Sequence, residues 1–207
     1  MNTGNKDLDR RRKRRLRRIQ IVIIYTAIAV GLAWFFESQA TTTMIFVRHA
    51  EKALTPVDDP PLSPAGELRA AELSRQLLDA DVVAGIDAIY STPYRRTIET
   101  VQPIADALDL DVNLYAADDN EAVLSEILKS HKGKIVLVVG HSNTVPDLIA
   151  DLGASKNVPP IAEFEYDNIY LASIPWFGKT KTIRLRYGTP YLGKPTTESQ
   201  VDHEMTN

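Results

Sequence analysis

Residues 19–36, IQIVIIYTAIAVGLAWFF, run for eighteen positions without a charged side chain, and residues 10–18 immediately before them read RRRKRRLRR. As a helix rising 1.5 Å per residue, the apolar run spans roughly 27 Å, close to the hydrocarbon thickness of a bilayer. Only a helix or a closed barrel satisfies every backbone N–H and C=O inside lipid, so the run reads as one transmembrane helix. Trp34, Phe35 and Phe36 stand at its far end, where aromatic rings favour the interface. The eight cations of residues 10–18 hold the N-terminus in the cytoplasm, and everything after residue 36 is expected outside it. The competing reading is a signal peptide cleaved after Ala40, since Ser38 and Ala40 are small residues at the positions such a cut requires. The run exceeds the usual apolar core of a signal peptide, about 7–15 residues, which favours the uncleaved anchor. Either reading exports the remainder of the chain. In a bacterial cell this means a single-pass inner-membrane protein with a periplasmic domain, or a secreted form of that domain.

Charge separates the chain into unlike parts. Residues 1–18 sum to +7, and residues 37–207 sum to −10. Phosphate-backbone binding needs a basic footprint, so the acidic remainder is not a nucleic-acid-binding domain. The basic tract at 10–18 could by itself be a nuclear-localisation or nucleic-acid patch, but the adjacent spanning segment favours membrane topology. The chain contains no cysteine, which excludes disulfides, thiolate metal sites and a cysteine nucleophile. Histidine chemistry must come from His49, His131, His141 or His203.

Residues 43–48 form a short apolar, β-branched run of the kind found in buried strands. Ser63-Pro64 then supplies an N-cap and a first-turn proline for a helix reaching about residue 80, with Ala70, Leu73, Leu77 and Ala80 on one face. Further strands are expected at 86–90, 111–115 and 134–139, and helices at 94–108, 120–131 (ended by Gly133) and 143–152 (stopped by Gly153). The run KIVLVV is the most apolar and belongs in the middle of a sheet. Alternating strands and helices predict an α/β domain with a mostly parallel central sheet. Residues 166–174 and 181–187 read as two further strands, antiparallel and joined by PWFGKT, whose Trp176 and Phe177 either cover the core or touch the bilayer. The expected organisation is a basic cytoplasmic segment (1–18), a transmembrane helix (19–36), a linker (37–42), one domain (43–188) and a polar tail (189–207). The brevity of the linker places an anchored domain close to the bilayer.

Parallel α/β sheets gather their sites at the carboxyl ends of strands. The first strand ends in Arg48-His49-Ala50-Glu51, the second in Ser91-Thr92-Pro93 with Arg95 and Arg96 just beyond, and the apolar strand in Gly140-His141-Ser142-Asn143. Two histidines and at least two arginines can therefore meet on one rim. Guanidinium forks match phosphate oxygens with paired, charge-assisted hydrogen bonds. A neutral imidazole can attack phosphorus, and nearby guanidinium charge keeps it neutral. A second histidine can stabilise charge on the group in transit. The Arg/His cluster supplies the positive charge, so neither metal nor cofactor is expected.

The segments VRHAEK (47–52), LSPAGELRA (62–70), YSTPYRRTIET (90–100) and VVGHSNTVP (138–146) resemble, in order and spacing, the histidine phosphatase superfamily in its phosphoglycerate-mutase-like branch. The resemblance implies a three-layer α/β/α sandwich. It implies His49 as the nucleophile that becomes phosphohistidine, Arg48 and Arg96 as phosphoryl clamps, and His141 as the second pocket histidine. Arg96 matches better than Arg95 because Thr100 stands four residues after it. The family's general acid, where present, follows the third strand. Here that segment reads AADDNEAVL and offers Asp118, Asp119 and Glu121, with Asp119 and Glu121 carried as the candidates. None lies in a mutase-type acid motif, so phosphatase rather than mutase activity is expected. Short members of this kind remove phosphate from phosphohistidine proteins or small phosphoesters. The implied partners are a phosphorylated small molecule, an envelope component or a phosphoprotein, together with the lipid bilayer.

Structural roles are expected for several neighbours: Glu51 as support or a surface carboxylate, Arg95 as a solvated helix residue, His131 at a helix C-terminus, and His203 in the tail. Two other functions compete. A serine hydrolase would use Ser142 in a nucleophile-elbow-like turn, but Thr144 occupies the elbow's closing glycine position and only His203 follows downstream. A non-catalytic module would use the same pocket to sense a phosphorylated ligand.

Overall fold

A computed structural model of the chain describes residues 3–38, 41–80, 85–155 and 157–193. The chain forms two compact units, Met1–Ala40 and Thr41–Asn207. The junction after Ala40, the tail beyond residue 193 and His203 lie outside the described residues.

The first unit is a single helix, α1 (Thr3–Ser38). Its stretch Arg12–Phe36 is long and apolar enough to cross a membrane, and none of it is buried against protein. Thr26, one of its few polar residues, donates its hydroxyl to the Val22 carbonyl at 2.9 Å, so the helix satisfies that group internally. A signal sequence shares these properties.

The second unit contains β1 (Thr42–Arg48), α2 (Pro64–Asp79), β2 (Ala88–Ser91), α3 (Arg95–Leu108), β3 (Val112–Leu114), α4 (Asn120–Ser130), β4 (Ile135–Gly140), α5 (Thr144–Asp151), β5 (Asn168–Ile174) and β6 (Lys181–Arg186). The six strands make one sheet in the order β3-β2-β4-β1-β5-β6. β1 to β4 are mutually parallel, while β5 and β6 extend the sheet as an antiparallel pair. The apolar strand β4 lies inside the sheet, between β2 and β1.

Successive strand residues point to opposite faces, and the core divides accordingly. Met44 and Phe46 of β1 pack with Val136 and Val138 of β4 beneath Leu124 and Ile127 of α4 and Leu148 of α5. Ile45 and Val47 pack with Leu137 and Val139 beneath Leu73 of α2 and Val101 and Ile104 of α3. The domain is thus a three-layer α/β/α sandwich. Each large apolar side chain removed from water contributes roughly 1.5–3 kcal/mol before entropy is counted.

Local chemistry sets the helix ends. The Ser63 hydroxyl accepts from Gly66 N–H as N-cap of α2, with Pro64 in the first turn. Two details differ from expectation. Ala80 is exposed because α2 ends at Asp79, one residue short of completing that face. The C-cap of α4 is His131, and Gly133 supplies a positive φ of 73° in the following turn.

Candidate active site

The register between β1 and β4 builds the site. Arg48 lies opposite Gly140, so His49 and His141 each stand one residue past the end of paired strands. His49 N–H donates to the Gly140 carbonyl at 3.0 Å. The two imidazole rings meet edge to face with centroids 5.3 Å apart. Ser91 of β2 pairs with Val139, so Thr92 emerges level with Gly140 and its hydroxyl lies 3.0 Å from His141 Nε2.

His49 is 5% exposed, and its Nδ1 lies 2.7 Å from the Ala50 carbonyl. A carbonyl can only accept, so Nδ1 carries the proton and Nε2 keeps its lone pair. The His49 pKa is lowered to about 3, by burial first and by the charges of Arg48, His141 and Arg96, against the opposing effect of the Ala50 bond. His141 falls to about 4, through burial first and then through Arg96 and Arg48. Both rings are therefore neutral at neutral pH. Nδ1 of His141 has no hydrogen-bond partner among the described residues, so it can donate to an anionic oxygen when Thr92 donates to Nε2.

Arg48 is buried, with Nη1 donating to the carbonyls of Ala162 (2.8 Å) and Glu165 (3.1 Å) and its guanidinium 4.1 Å from the centre of the Tyr166 ring. Arg96 stacks over Tyr94 at 4.4 Å and lies 3.9 Å from Asp59. Arg95 instead pairs with Glu99 on the exposed side of α3. Arg48, His49, Arg96 and His141 all line one open cavity of about 840 Å³.

The acidic candidates separate. Asp119 is the N-cap of α4, its carboxylate accepting from Ala122 N–H at 3.0 Å. Glu121 lies exposed in the first turn of the same helix. Neither is on the cavity wall. Of the acidic trio only Asp118 is, and Glu163 joins it from the segment before β5. Sequence reasoning missed Glu163, Tyr166 and the two carbonyls that hold Arg48. Glu163 and the two carbonyls lie in a segment with no periodic signal, and Tyr166 falls just before β5, which begins at Asn168 rather than at the expected residue 166; the segment reaches Arg48 across a separation of 114 residues. His131 bonds the Tyr90 hydroxyl at 3.0 Å, away from the cavity.

The remaining motif residues fasten the His49 loop. The Glu51 carbonyl accepts from Ser63 N–H and the Ser63 hydroxyl, and its carboxylate takes both oxygens to Arg69 Nε at 2.7 and 2.8 Å. Thr100 accepts from Ala50 N–H at 2.9 Å. A Cβ on Gly66 would meet the Glu51 carbonyl oxygen at 2.1 Å, so only glycine permits this approach. Ser142 lines the cavity, but Thr144 accepts from His141 N–H rather than forming an elbow, and no histidine follows Ser142 among the described residues. Among the described residues no group of three or more His, Asp or Glu gathers as a metal-ligand set.

This arrangement can bind a phosphoryl group and attack it. Residues 44–119 match the histidine phosphatase superfamily (branch 1). A phosphohistidine phosphatase SixA homolog of Haemophilus influenzae is 26% identical over 128 residues, covering 57% of this chain and 75% of its own. Over residues 44–119 the chain carries the pattern of the histidine phosphatase superfamily. It is an enzyme of the phosphatase class. Its fold is shared with the protein histidine phosphatase SixA in its tungstate complex (TM-score 0.58, 21% identity, 70% of this chain and 96% of that one). A phosphoserine phosphatase of Entamoeba histolytica in complex with 3-phosphoglyceric acid shares it too (TM-score 0.51, 18% identity, 72% and 97%).

Proposed function

We propose that this chain hydrolyses phosphomonoesters or phosphohistidine through a phospho-His49 intermediate, without a metal, on the extracytoplasmic side of a membrane. The observation that carries the reading is the engaged Nδ1 of His49, which leaves the Nε2 lone pair available beside Arg48, Arg96 and His141. In the first step Nε2 attacks phosphorus, the bond from phosphorus to the substrate's ester oxygen or imidazole nitrogen breaks, and the leaving atom takes its proton from a water molecule in the open cavity. In the second, water attacks the phosphohistidine, the P–N bond breaks, and inorganic phosphate leaves. Arg48 and Arg96 hold the non-bridging oxygens, and His141 donates from Nδ1 as charge passes through the transition state. The guanidinium groups supply the positive charge that a metal would otherwise bring. Relatives named for phosphohistidine and phosphoserine support a phosphorylated protein or small molecule as substrate. Phosphorylated envelope components fit the same site chemistry.

The extracytoplasmic assignment follows from the basic tract before the apolar run. The test is hydrolysis of an aryl phosphate by the purified full chain, wild type beside His49→Ala, with EDTA present. Turnover that survives the chelator, disappears in the variant and leaves phosphate on His49 in rapidly quenched wild type supports the reading. Turnover retained by His49→Ala overturns it. Binding of phosphate esters without turnover in the wild type would favour the sensor function.

A further inference from the structure

We infer that the tip of the β5–β6 hairpin, residues 175–181, is a contact surface for anionic lipid headgroups, so that the catalytic pocket faces away from the bilayer. The inference rests on reading residues 19–36 as a membrane anchor.

Residues 168–193 contain no Asp or Glu but carry Lys179, Lys181, Arg184 and Arg186, within a stretch, residues 37–207, of net charge −10. Arg186 is taken up by Glu165 and Asp167. Lys179 and Lys181 are exposed at the tip. Beside them Phe177 is 90% and Trp176 54% exposed. Gly178, at φ 122°, permits a turn that side chains rarely adopt. Exposed aromatic rings flanked by lysines combine the two attractions that bring a protein surface to lipid: apolar burial at the interface and pairing with headgroup charge.

The sheet register places this tip. Thr42 pairs with Ile174, so the hairpin turn leaves the sheet at the same end where the chain enters it. Only residues 37–41 separate the last apolar residue of the run, Phe36, from Thr42, a reach of at most about 22 Å over six residue steps. Arg48 and His49 stand at the opposite end of β1, roughly 20 Å away at the rise of a strand. Anionic headgroups repel the acidic bulk of the domain and attract its basic tip, which selects one orientation within that short tether. The pocket then takes its substrate from the aqueous phase rather than from the lipid surface.

The test uses the chain's two tryptophans, Trp34 and Trp176, as separate depth probes. The full chain is reconstituted in phosphatidylcholine vesicles with and without phosphatidylglycerol, using lipids brominated high on the acyl chain. In Trp34→Phe, Trp176 emission should be quenched. Phosphatidylglycerol should strengthen the quenching, and combined Lys179→Glu and Lys181→Glu should weaken it by roughly half or more. Unchanged thermal unfolding of the lysine variant shows that its fold is intact. In Trp176→Phe, quenching of Trp34 reports the anchor alone. A quenched Trp34 with an unquenched Trp176 overturns the hairpin contact and leaves the anchor standing. An unquenched Trp34 overturns the anchor and this inference with it. Quenching of Trp176 that ignores both lysines and phosphatidylglycerol overturns the electrostatic recognition.

Discussion

At the scale of single residues, the site depends on keeping a buried imidazole neutral. His49 accepts a proton only near pH 3 and His141 only near pH 4, because burial and two guanidinium groups disfavour their charged forms. In the proposed mechanism His49 attacks in its neutral form, so its own ionisation should cause no loss of activity between pH 7 and about 5. A pH profile of kcat, compared with the substrate's own titration, checks this. A fall set by an enzyme group near 6.5 would show that His49 titrates like an ordinary imidazole. Linkage gives a companion prediction. Below the ordinary histidine pKa the unfolded chain binds protons that the folded chain refuses, so these two histidines make stability fall as pH drops from about 6.5 toward 3–4. His49→Gln should flatten part of that slope when thermal unfolding is followed across the window.

At the scale of elements, helix ends and helix packing decide which sequence motifs act in chemistry and which only hold it in place. Asp119 ends a loop by capping α4, so Asp119→Ala should cost about 1 kcal/mol of stability, measured by denaturant unfolding, and leave kcat nearly unchanged. Asp118→Asn, on the cavity wall, should change kcat or KM with little effect on stability. The reverse pattern would return Asp119 to the active site. Gly66 is the sharper case. Helix propensity alone favours alanine by up to about 1 kcal/mol. Yet the added methyl would collide with the Glu51 carbonyl, so Gly66→Ala should destabilise by roughly 1–3 kcal/mol and lower kcat by shifting the loop that carries His49. A stabilised, fully active Gly66→Ala would mean that the loop tolerates displacement.

At the scale of the whole molecule, the proposed location of the domain turns on the basic tract and the apolar helix. An uncleaved anchor predicts that the full chain stays with membranes through an alkaline carbonate wash, with the domain open to external protease in spheroplasts. A shorter, soluble species beginning near residue 41 would instead identify a cleaved signal. Neither outcome alters the chemistry of the pocket, since its residues all belong to the second compact unit.

Much of this protein was legible without coordinates, because the signals are local. Strand and helix periodicity, the Ser63-Pro64 helix start and the charge-free run each arise from neighbours along the chain, and so the layered α/β domain follows from them. The four motif segments pointed to Arg48, His49, Arg96 and His141 because those residues lie at strand or helix ends that sequence pattern can locate. Other features have no local signature. The pairing of Arg48 with Gly140 brings the histidines together, and pairing register depends on strands far apart in sequence. The fastening of Arg48 by the carbonyls of Ala162 and Glu165 uses backbone atoms that every residue possesses, so no residue type announces it. The division of the acidic cluster into a cap and a cavity wall turns on where α4 begins, a matter of a single residue. Local chemistry wrote the elements and their order; only long-range packing chose the partners whose contacts make an active site of them.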